Sequence, residues 1–365
     1  MKKILLISPY WQEKHRWMVS SVKLAELWQR LGYQVIVACM GAKSGTERIS
    51  DTLTVHSRKD IFLPDPLNFG IAFGFTGFVR RLIKAEKPDL IICNKVLFWT
   101  SFSLISLRLL GQKVILLTDA LVGMTWWPRS LIPKIIMGLG AWTVGWPVLL
   151  SAKKIIFFHP QPPKLLKRLG IFKKSQVIPT GIDASKYKSE KSGEISVTYV
   201  GRLESVKGVD DFLAAVVPLK RDYKIDVQVV GWYRDKHPLV GKYHGEVRFT
   251  GLRDDIPEIL SKSHIFVLPS YSEGLSNALM EAMSSSCSCI ASDVGGNRFL
   301  IQNGVSGLLF PVGDREALRA HVRRLLDDPA KRDSLGKASR KRIEEVFDWE
   351  KVGKQYQDLF NEALS

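Results

Sequence analysis

The sequence predicts an α/β chain of two doubly wound domains, each a mostly parallel sheet with helices on both faces. Three observations predict it. Short, continuous apolar runs alternate with stretches of helical length along all 365 residues, the pattern of parallel strands covered on both sides. With 45% hydrophobic residues the chain can build two ordinary cores. One segment, PTGIDASKYKSEKSGE at 179–194, is polar, contains glycine and lacks an apolar period, so it reads as the junction. We therefore expect a first domain over 1–178, a second over 179–345 and a terminal helix over 346–365.

Each element follows in order. MKKILLIS has a basic dipeptide and only four apolar residues before Ser8-Pro9, too short for a signal peptide and suited to a first buried strand. SSVKLAELWQRLG is helical, QVIVACM is the next strand, and DLIICN, KVILLTD and KIIFFHP continue the first sheet. In the second half ISVTYVG, DVQVVG, EVRFTG, IFVLPS and SCIASD are strands, and VDDFLAAVVPLK is a helix. The end is helical from Arg315, and Trp349, Val352, Tyr356 and Leu359 recur at the spacing of a buried face. Cys39, Cys93, Cys287 and Cys289 fit neither zinc spacing nor a disulfide framework and predict buried thiols in a reducing cytoplasm. Ligands are expected at the carboxyl ends of the strands.

Charge divides the chain. Residues 1–182 hold 26 Lys/Arg against 9 Asp/Glu, whereas 183–365 hold 27 of each, so the whole net charge of +17 belongs to the first half. Residues 151–182 carry seven Lys/Arg and no acid. Such a field implies an anionic partner. Nucleic acid is not expected: no recognised motif is present, and the aromatics cluster with aliphatics rather than alternating with Lys/Arg. LIPKIIMGLGAWTVGWPVLL, 131–150, has only Lys134 charged, with Trp126 and Trp127 before it and Lys153 and Lys154 after. It reads as an element lying against a membrane surface, as a core helix, or as a span. Residues 125–182 are thus the expected contact with an anionic membrane.

Two carboxylates, Glu273 and Glu281, stand eight positions apart in YSEGLSNALMEAM. On one helix they would lie roughly 80° and about 12 Å apart. Gly274 permits a turn and Ser276 suits an N-cap, so Glu273 is expected in a strand-to-helix turn and Glu281 on the second helical turn, flanking an N-terminus that attracts anions. In YVGRLESVKGVDDFLAAV a strand ends at Gly201 and a helix opens near Val209, with Arg202 and Lys207 bracketing the turn. Two such cations could neutralise a diphosphate or could simply be surface charges. G-x-G-x-x-G after a strand, G-x-x-x-x-G-K-[ST] and D-x-D are all missing, so dinucleotide, P-loop and metal-held nucleotide readings lose support.

GRLESVKG, VRFTGLRDDIPEILSKSHIFVLPSYSEGLSNALMEAM and ASDVGGNRFLIQNGVSGLLFPVGD, with VIPTGID at 177–183, resemble the retaining, nucleotide-sugar glycosyltransferases of the family-4 type. The resemblance covers 177–350 well and the first half loosely, and Glu273 and Glu281 match its E-x7-E signature. It implies the GT-B fold: two facing Rossmann-like domains, with a C-terminal helix crossing back to the first. It implies a hexose or N-acetylhexosamine donor on a nucleoside diphosphate, most commonly UDP, as co-substrate, with neither metal nor cofactor. Arg202 and Lys207 would hold the diphosphate, Glu281 the ribose hydroxyls, and Glu273 would approach the transferred sugar. Gly201, Leu252, Arg253, Gly274, Leu275, Ser276 and Asn277 would complete the donor site, the last four partly through backbone amides. With the basic, apolar first half, this predicts a transferase peripheral on the cytoplasmic face of the cell membrane that glycosylates a lipid-linked saccharide or glycolipid. The alternative is a soluble enzyme with a free sugar acceptor, or a nucleotide-sugar epimerase.

The sequence departs from the family pattern in several places. PYWQEKHRWMVSS replaces the glycine-rich loop after the first strand, where His15 and Arg16 either substitute or face solvent. Thr118-Asp119 stands where relatives have a histidine, and Asp119 either orients the acceptor hydroxyl or caps the next turn. Ser286, Ser288 and Phe299 replace a usual glycine, proline and glutamate.

Overall fold

The computed structural model describes residues 1–12, 18–63 and 69–365. The chain forms two compact units, Met1–Thr180 with Glu350–Ser365, and Gly181–Trp349. The division falls at 180/181 and 349/350, where 178/179 and 345/346 were expected. Backbone pairing explains the shift. The Ile182 amide donates to the Phe347 carbonyl and the Trp349 amide to the Ile182 carbonyl, both at 2.9 Å, so residues 347–349 stay with the second unit.

The first unit contains β1 (Lys3–Ser8), β2 (Gln34–Gly41), β3 (Gly45–Ser50), β4 (Leu53–Lys59), β5 (Ile61–Leu63), β6 (Phe69–Ile71), β7 (Leu90–Asn94), β8 (Val114–Thr118), β9 (Lys154–Phe157) and β10 (Ser175–Val177). Eight form one sheet in the order β10-β9-β8-β7-β1-β2-β4-β3, while β5 and β6 pair separately. The main sheet is parallel except for β3, which runs antiparallel to β4. Sequence reading missed β3 because GTERIS is exposed throughout and offers no apolar pattern. Strand β1 shows the opposite case: Ile4, Leu5, Leu6 and Ile7 are all fully buried, as a strand covered on both faces requires.

Two helical stretches of this unit bear on function. The helix Trp349–Leu364 buries Val352, Tyr356, Leu359 and Phe360, and the rings of Trp28 and Tyr33 meet Phe360 edge-on at 5.5 and 5.2 Å. A second helical stretch runs through Leu131–Gly140, a wider turn at Ala141–Gly145 and Trp146–Ser151. Its Val148 and Leu149 are buried, whereas Leu131, Ile132, Ile135, Ile136 and Leu139 are each at least half exposed. Lys174 closes its end, donating to the carbonyls of Leu149, Leu150 and Ala152 at 2.8–2.9 Å. Among the described residues this is the helix long and apolar enough to cross a membrane, by length and composition alone.

The second unit contains β11 (Ile195–Val200), β12 (Ile225–Val230), β13 (Arg248–Gly251), β14 (Ile265–Leu268), β15 (Ser288–Ser292) and β16 (Leu308–Phe310). They form a parallel sheet in the order β13-β12-β11-β14-β15-β16. The chain leaves β11 toward β12 on one side and returns to β14 on the other. The pair β11/β14 is therefore the point where a doubly wound sheet opens a ligand crevice. All four cysteines are buried thiols outside any disulfide, and burial pushes the Cys287 thiol up to about 12.

Candidate active site

The loops leaving β11 and β14 meet at that point. After Val200 the chain turns through Gly201 and Arg202, forms a short turn over Ser205–Lys207 and enters the helix Val209–Val216. Gly208 makes this possible: its φ is +64°, and an added Cβ would lie 2.2 Å from the Pro269 carbonyl oxygen. The Tyr271 amide donates to the Val206 carbonyl at 2.8 Å, which ties the two loops together. Below them the Tyr271 hydroxyl donates to the buried carboxylate of Asp211, and Arg315 holds its other oxygen at 2.6 Å.

Lys207 Nζ consequently lies 2.6 Å from Glu273 Oε1, and the Ser270 hydroxyl donates to the same oxygen at 2.8 Å. The Glu273 side chain is 9% exposed, so its charge is balanced by one ammonium and one hydroxyl inside the fold. Arg202 is more open, at 51% exposure, and pairs with Glu204 at 2.9 Å. The fully buried Tyr199 hydroxyl donates to the Arg202 carbonyl at 3.0 Å, and burial, with the nearby Glu273 charge, raises its pKa well above the usual value. Both cations expected at the diphosphate thus already face carboxylates. Ser270, which sequence reading saw only as the end of a strand, joins this group; a hydroxyl three residues before Glu273 was the available signal.

The helix Asn277–Ser284 follows the Glu273 turn, and the Ser276 side chain accepts from the Leu279 amide as its N-cap. Its first residue, Asn277, has a buried side-chain oxygen with no hydrogen-bond partner among the described residues. Glu281 is half-buried on the second turn of this helix. Gly274 and Leu275 are buried. The chain bends at Gly274 and Leu275, as expected, but without a positive φ at Gly274. The left-handed glycine beside this turn is Gly295, at φ +42°, where a Cβ would meet the Glu273 carbonyl oxygen at 1.9 Å. Leu252 and Arg253 follow β13 at the sheet edge, both exposed, and Arg253 is held by Asp255. Arg202, Lys207, Glu273 and the Asn277 helix thus share one end of adjacent strands, with Arg253 two strands away.

Asp119 belongs to the first unit, at the end of β8, with Lys95 Nζ at 2.6 Å. His15 and Arg16 lie outside the described residues. Ser286 takes φ +55°, the conformation for which glycine is the usual solution, and Phe299 packs edge-on against Phe347 at 5.2 Å.

Comparison with known proteins bears on what this arrangement serves. The family model described as Glycosyltransferase Family 4 matches residues 19–186, and that described as Glycosyl transferases group 1 matches 194–328. The chain belongs to the family-4-type glycosyltransferases. Sucrose-phosphate synthase from Thermosynechococcus elongatus shares this chain's fold over 99% of both chains, with a TM-score of 0.82 at 21% identity. The fold is therefore GT-B, built of two Rossmann-like domains. Glycogen synthase of Mycobacterium tuberculosis is 32% identical over 192 residues, 48% of this chain and 45% of that one. UDP-Gal:alpha-D-GlcNAc-diphosphoundecaprenol alpha-1,3-galactosyltransferase of Escherichia coli is 28% identical over 242 residues, 59% of this chain and 62% of that one. The chain thus spans about half the length of the curated relatives it matches.

Proposed function

We propose that this glycosyltransferase moves a hexose or N-acetylhexosamine from a nucleoside diphosphate donor, UDP-linked, to a lipid-linked saccharide at the cytoplasmic face of a membrane. The observation that carries the donor half is the grouping of Lys207, Arg202 and Glu273 beside a helix N-terminus at the β11/β14 switch point. Lys207 has three N–H donors; one serves Glu273, and the others remain for phosphate oxygens. As the sugar–phosphate bond breaks, charge builds on the departing diphosphate, and fixed cations aimed there lower the barrier. In this reading Glu273 approaches the sugar, Glu281 takes the ribose hydroxyls, and Leu252, Arg253 and the backbone of 274–277 complete the donor contacts. Transfer proceeds with retention, and side-chain cations do the work that D-x-D and a metal do elsewhere. The name of the undecaprenol-linked relative supports both the UDP-linked donor and the lipid-linked acceptor.

The acceptor half rests on the exposed face of 131–151. Leucines and isoleucines left in water there are each worth about 1.5–3 kcal/mol if buried. Lys167 stands over the Phe172 ring and Arg168 over Trp142, so cations flank the apolar face. Buried Val148 and Leu149 fasten the stretch to its own unit, which favours a helix lying in the interface over one that crosses the membrane. Each Lys/Arg near an anionic surface adds about 1 kcal/mol.

A thermal-shift screen over nucleotide sugars tests the donor reading: a UDP-sugar should raise the midpoint in proportion to the logarithm of its concentration. No shift with any member of the panel would remove it. For the membrane, co-sedimentation with anionic vesicles should be strong at low salt, weak in high salt and lost in Ile135→Glu/Leu139→Glu. Equal binding to neutral and anionic vesicles would count against this reading.

A further inference from the structure

The first sheet carries a polar cluster at its own switch point that the donor chemistry does not use. The chain leaves β1 toward β2 on one side and returns to β7 on the other, and Lys95 follows β7 directly. Asp119 follows β8, and His159 lies two residues beyond β9. Three neighbouring strands thus deliver an ammonium, a carboxylate and an imidazole to the end of the sheet where ligands collect.

The cluster is satisfied on its inner side. The Nδ1–H of buried His159 donates to the Pro160 carbonyl at 3.1 Å, leaving Nε2 to accept from the Gln161 amide at 3.2 Å. The Thr125 hydroxyl donates to the Gln161 side-chain oxygen at 2.8 Å. Lys95 Nζ, 2.6 Å from Asp119, also stands 5.5 Å from the centroid of the Phe158 ring. Exposure then rises outward, from 11% for the Lys95 side chain to 32% for Asp119. The backbone that delivers the ammonium is strained: Lys95 has φ +79° and Leu97 φ +61°, conformations that L-residues with side chains rarely adopt. Strain of this kind persists where the surroundings over-determine it and gathers at functional sites.

We infer that Lys95 and Asp119 form a two-point seat for one hydroxyl of the saccharide acceptor. The chemistry selects the ligand. An anion would meet the open carboxylate, and a cation would meet the ammonium behind it. A hydroxyl donates to Asp119 and accepts from Lys95 at once, and both ions keep their mutual contact. The inference rests on the transferase reading and deepens it by adding Lys95 to Asp119 and by naming the bound group.

Steady-state kinetics with the full chain, a UDP-sugar and a saccharide acceptor test it, beside melting curves for wild type, Asp119→Asn and Lys95→Met/Asp119→Asn. Asp119→Asn should raise the acceptor KM by about tenfold or more, the scale of a lost hydrogen bond to a charged group, with the donor KM unchanged. It should also lower the melting midpoint, because Lys95 keeps a charge without its partner. The double variant removes both charges, so the midpoint should recover while the acceptor KM stays raised. Recovery of the acceptor KM together with the midpoint would reduce the pair to a structural ion pair. So would an unchanged acceptor KM in both variants. If wild type binds the nucleotide sugar but transfers to no saccharide, this inference falls together with the acceptor half of the transferase reading.

Discussion

Each sheet sets a lysine ammonium 2.6 Å from a carboxylate beyond its central strands, Lys95 with Asp119 in the first unit and Lys207 with Glu273 in the second. The two pairs reach that geometry by different backbone routes. Next to Lys207 the left-handed residue is Gly208, and next to Glu273 the close approach is made by Gly295. Next to Asp119 the lysine itself takes the left-handed conformation. Glycine is almost free to adopt φ > 0, whereas other residues pay about 1–2 kcal/mol. In the second unit the turn residues and the charged residues are therefore separate positions and form a recognisable string. In the first unit one residue does both jobs and leaves no string to read.

The largest expected effect falls on the second pair. Lys207→Ala should lower kcat by about 30- to 1000-fold, or about 2–4 kcal/mol, and should also lower the melting midpoint because Glu273 is left buried without its cation. Arg202→Ala should cost turnover on a similar scale but leave stability within about 0.5 kcal/mol, since that side chain is half exposed. If Arg202→Ala unfolds the protein as readily as Lys207→Ala, the difference between the buried and the open cation disappears.

Gly208→Ala tests the backbone half of the comparison. It adds left-handed strain and a Cβ against the Pro269 carbonyl, and should cost about 2–4 kcal/mol in a denaturant titration. A smaller effect is expected at the first pair on acidification. Burial holds the His159 pKa below its usual value, and the field of Asp119 only partly offsets this. Burial pushes the Asp119 carboxyl up, but Lys95 more than compensates and leaves it below its usual value. Both groups are depressed in the fold, so their stabilisation is complete above the unfolded values, about 6.5 and 3.9, and is lost as pH falls through the folded ones. Melting midpoints should decline below about pH 6.5, and His159→Gln should flatten the decline between pH 6.5 and 5. The smallest effect belongs to Ser286, a left-handed position that lacks the glycine. Ser286→Gly should stabilise by about 0.5–1 kcal/mol, read as a raised midpoint.

Most strands missed by sequence reading were short or exposed: β3 is open to solvent along its length, and β5, β6, β10 and β16 have three residues each, while β4, LTVHSRK, was missed although Leu53 and Val55 alternate toward the core. A period-two or apolar-run criterion has little to act on in a three-residue or fully exposed segment, and in β4 the alternation ends after Val55. Arg202, Lys207 and Glu273 stood out as candidates because they lie in two loops, each bounded by a buried strand and a helix, whereas Leu252 and Arg253 come from a third loop at the sheet edge. Ser270 was hidden because a serine at a strand end has many uses, and only the Glu273 oxygen 2.8 Å away specifies this one.

By itself the sequence determined the two-sheet organisation, the buried face of the last helix, the one-sided charge and the spacing of Arg202, Lys207, Glu273 and Glu281. These are local quantities, written in the periodicity of burial and in loop length. The tertiary structure alone decided that Lys207 and Glu273 touch, that Lys95, Asp119 and His159 collect from three strands, and that the apolar face of 131–151 points outward. The reason is strand order. In a doubly wound sheet, residues tens of positions apart become neighbours when their strands pair, and no local pattern records which strands those are.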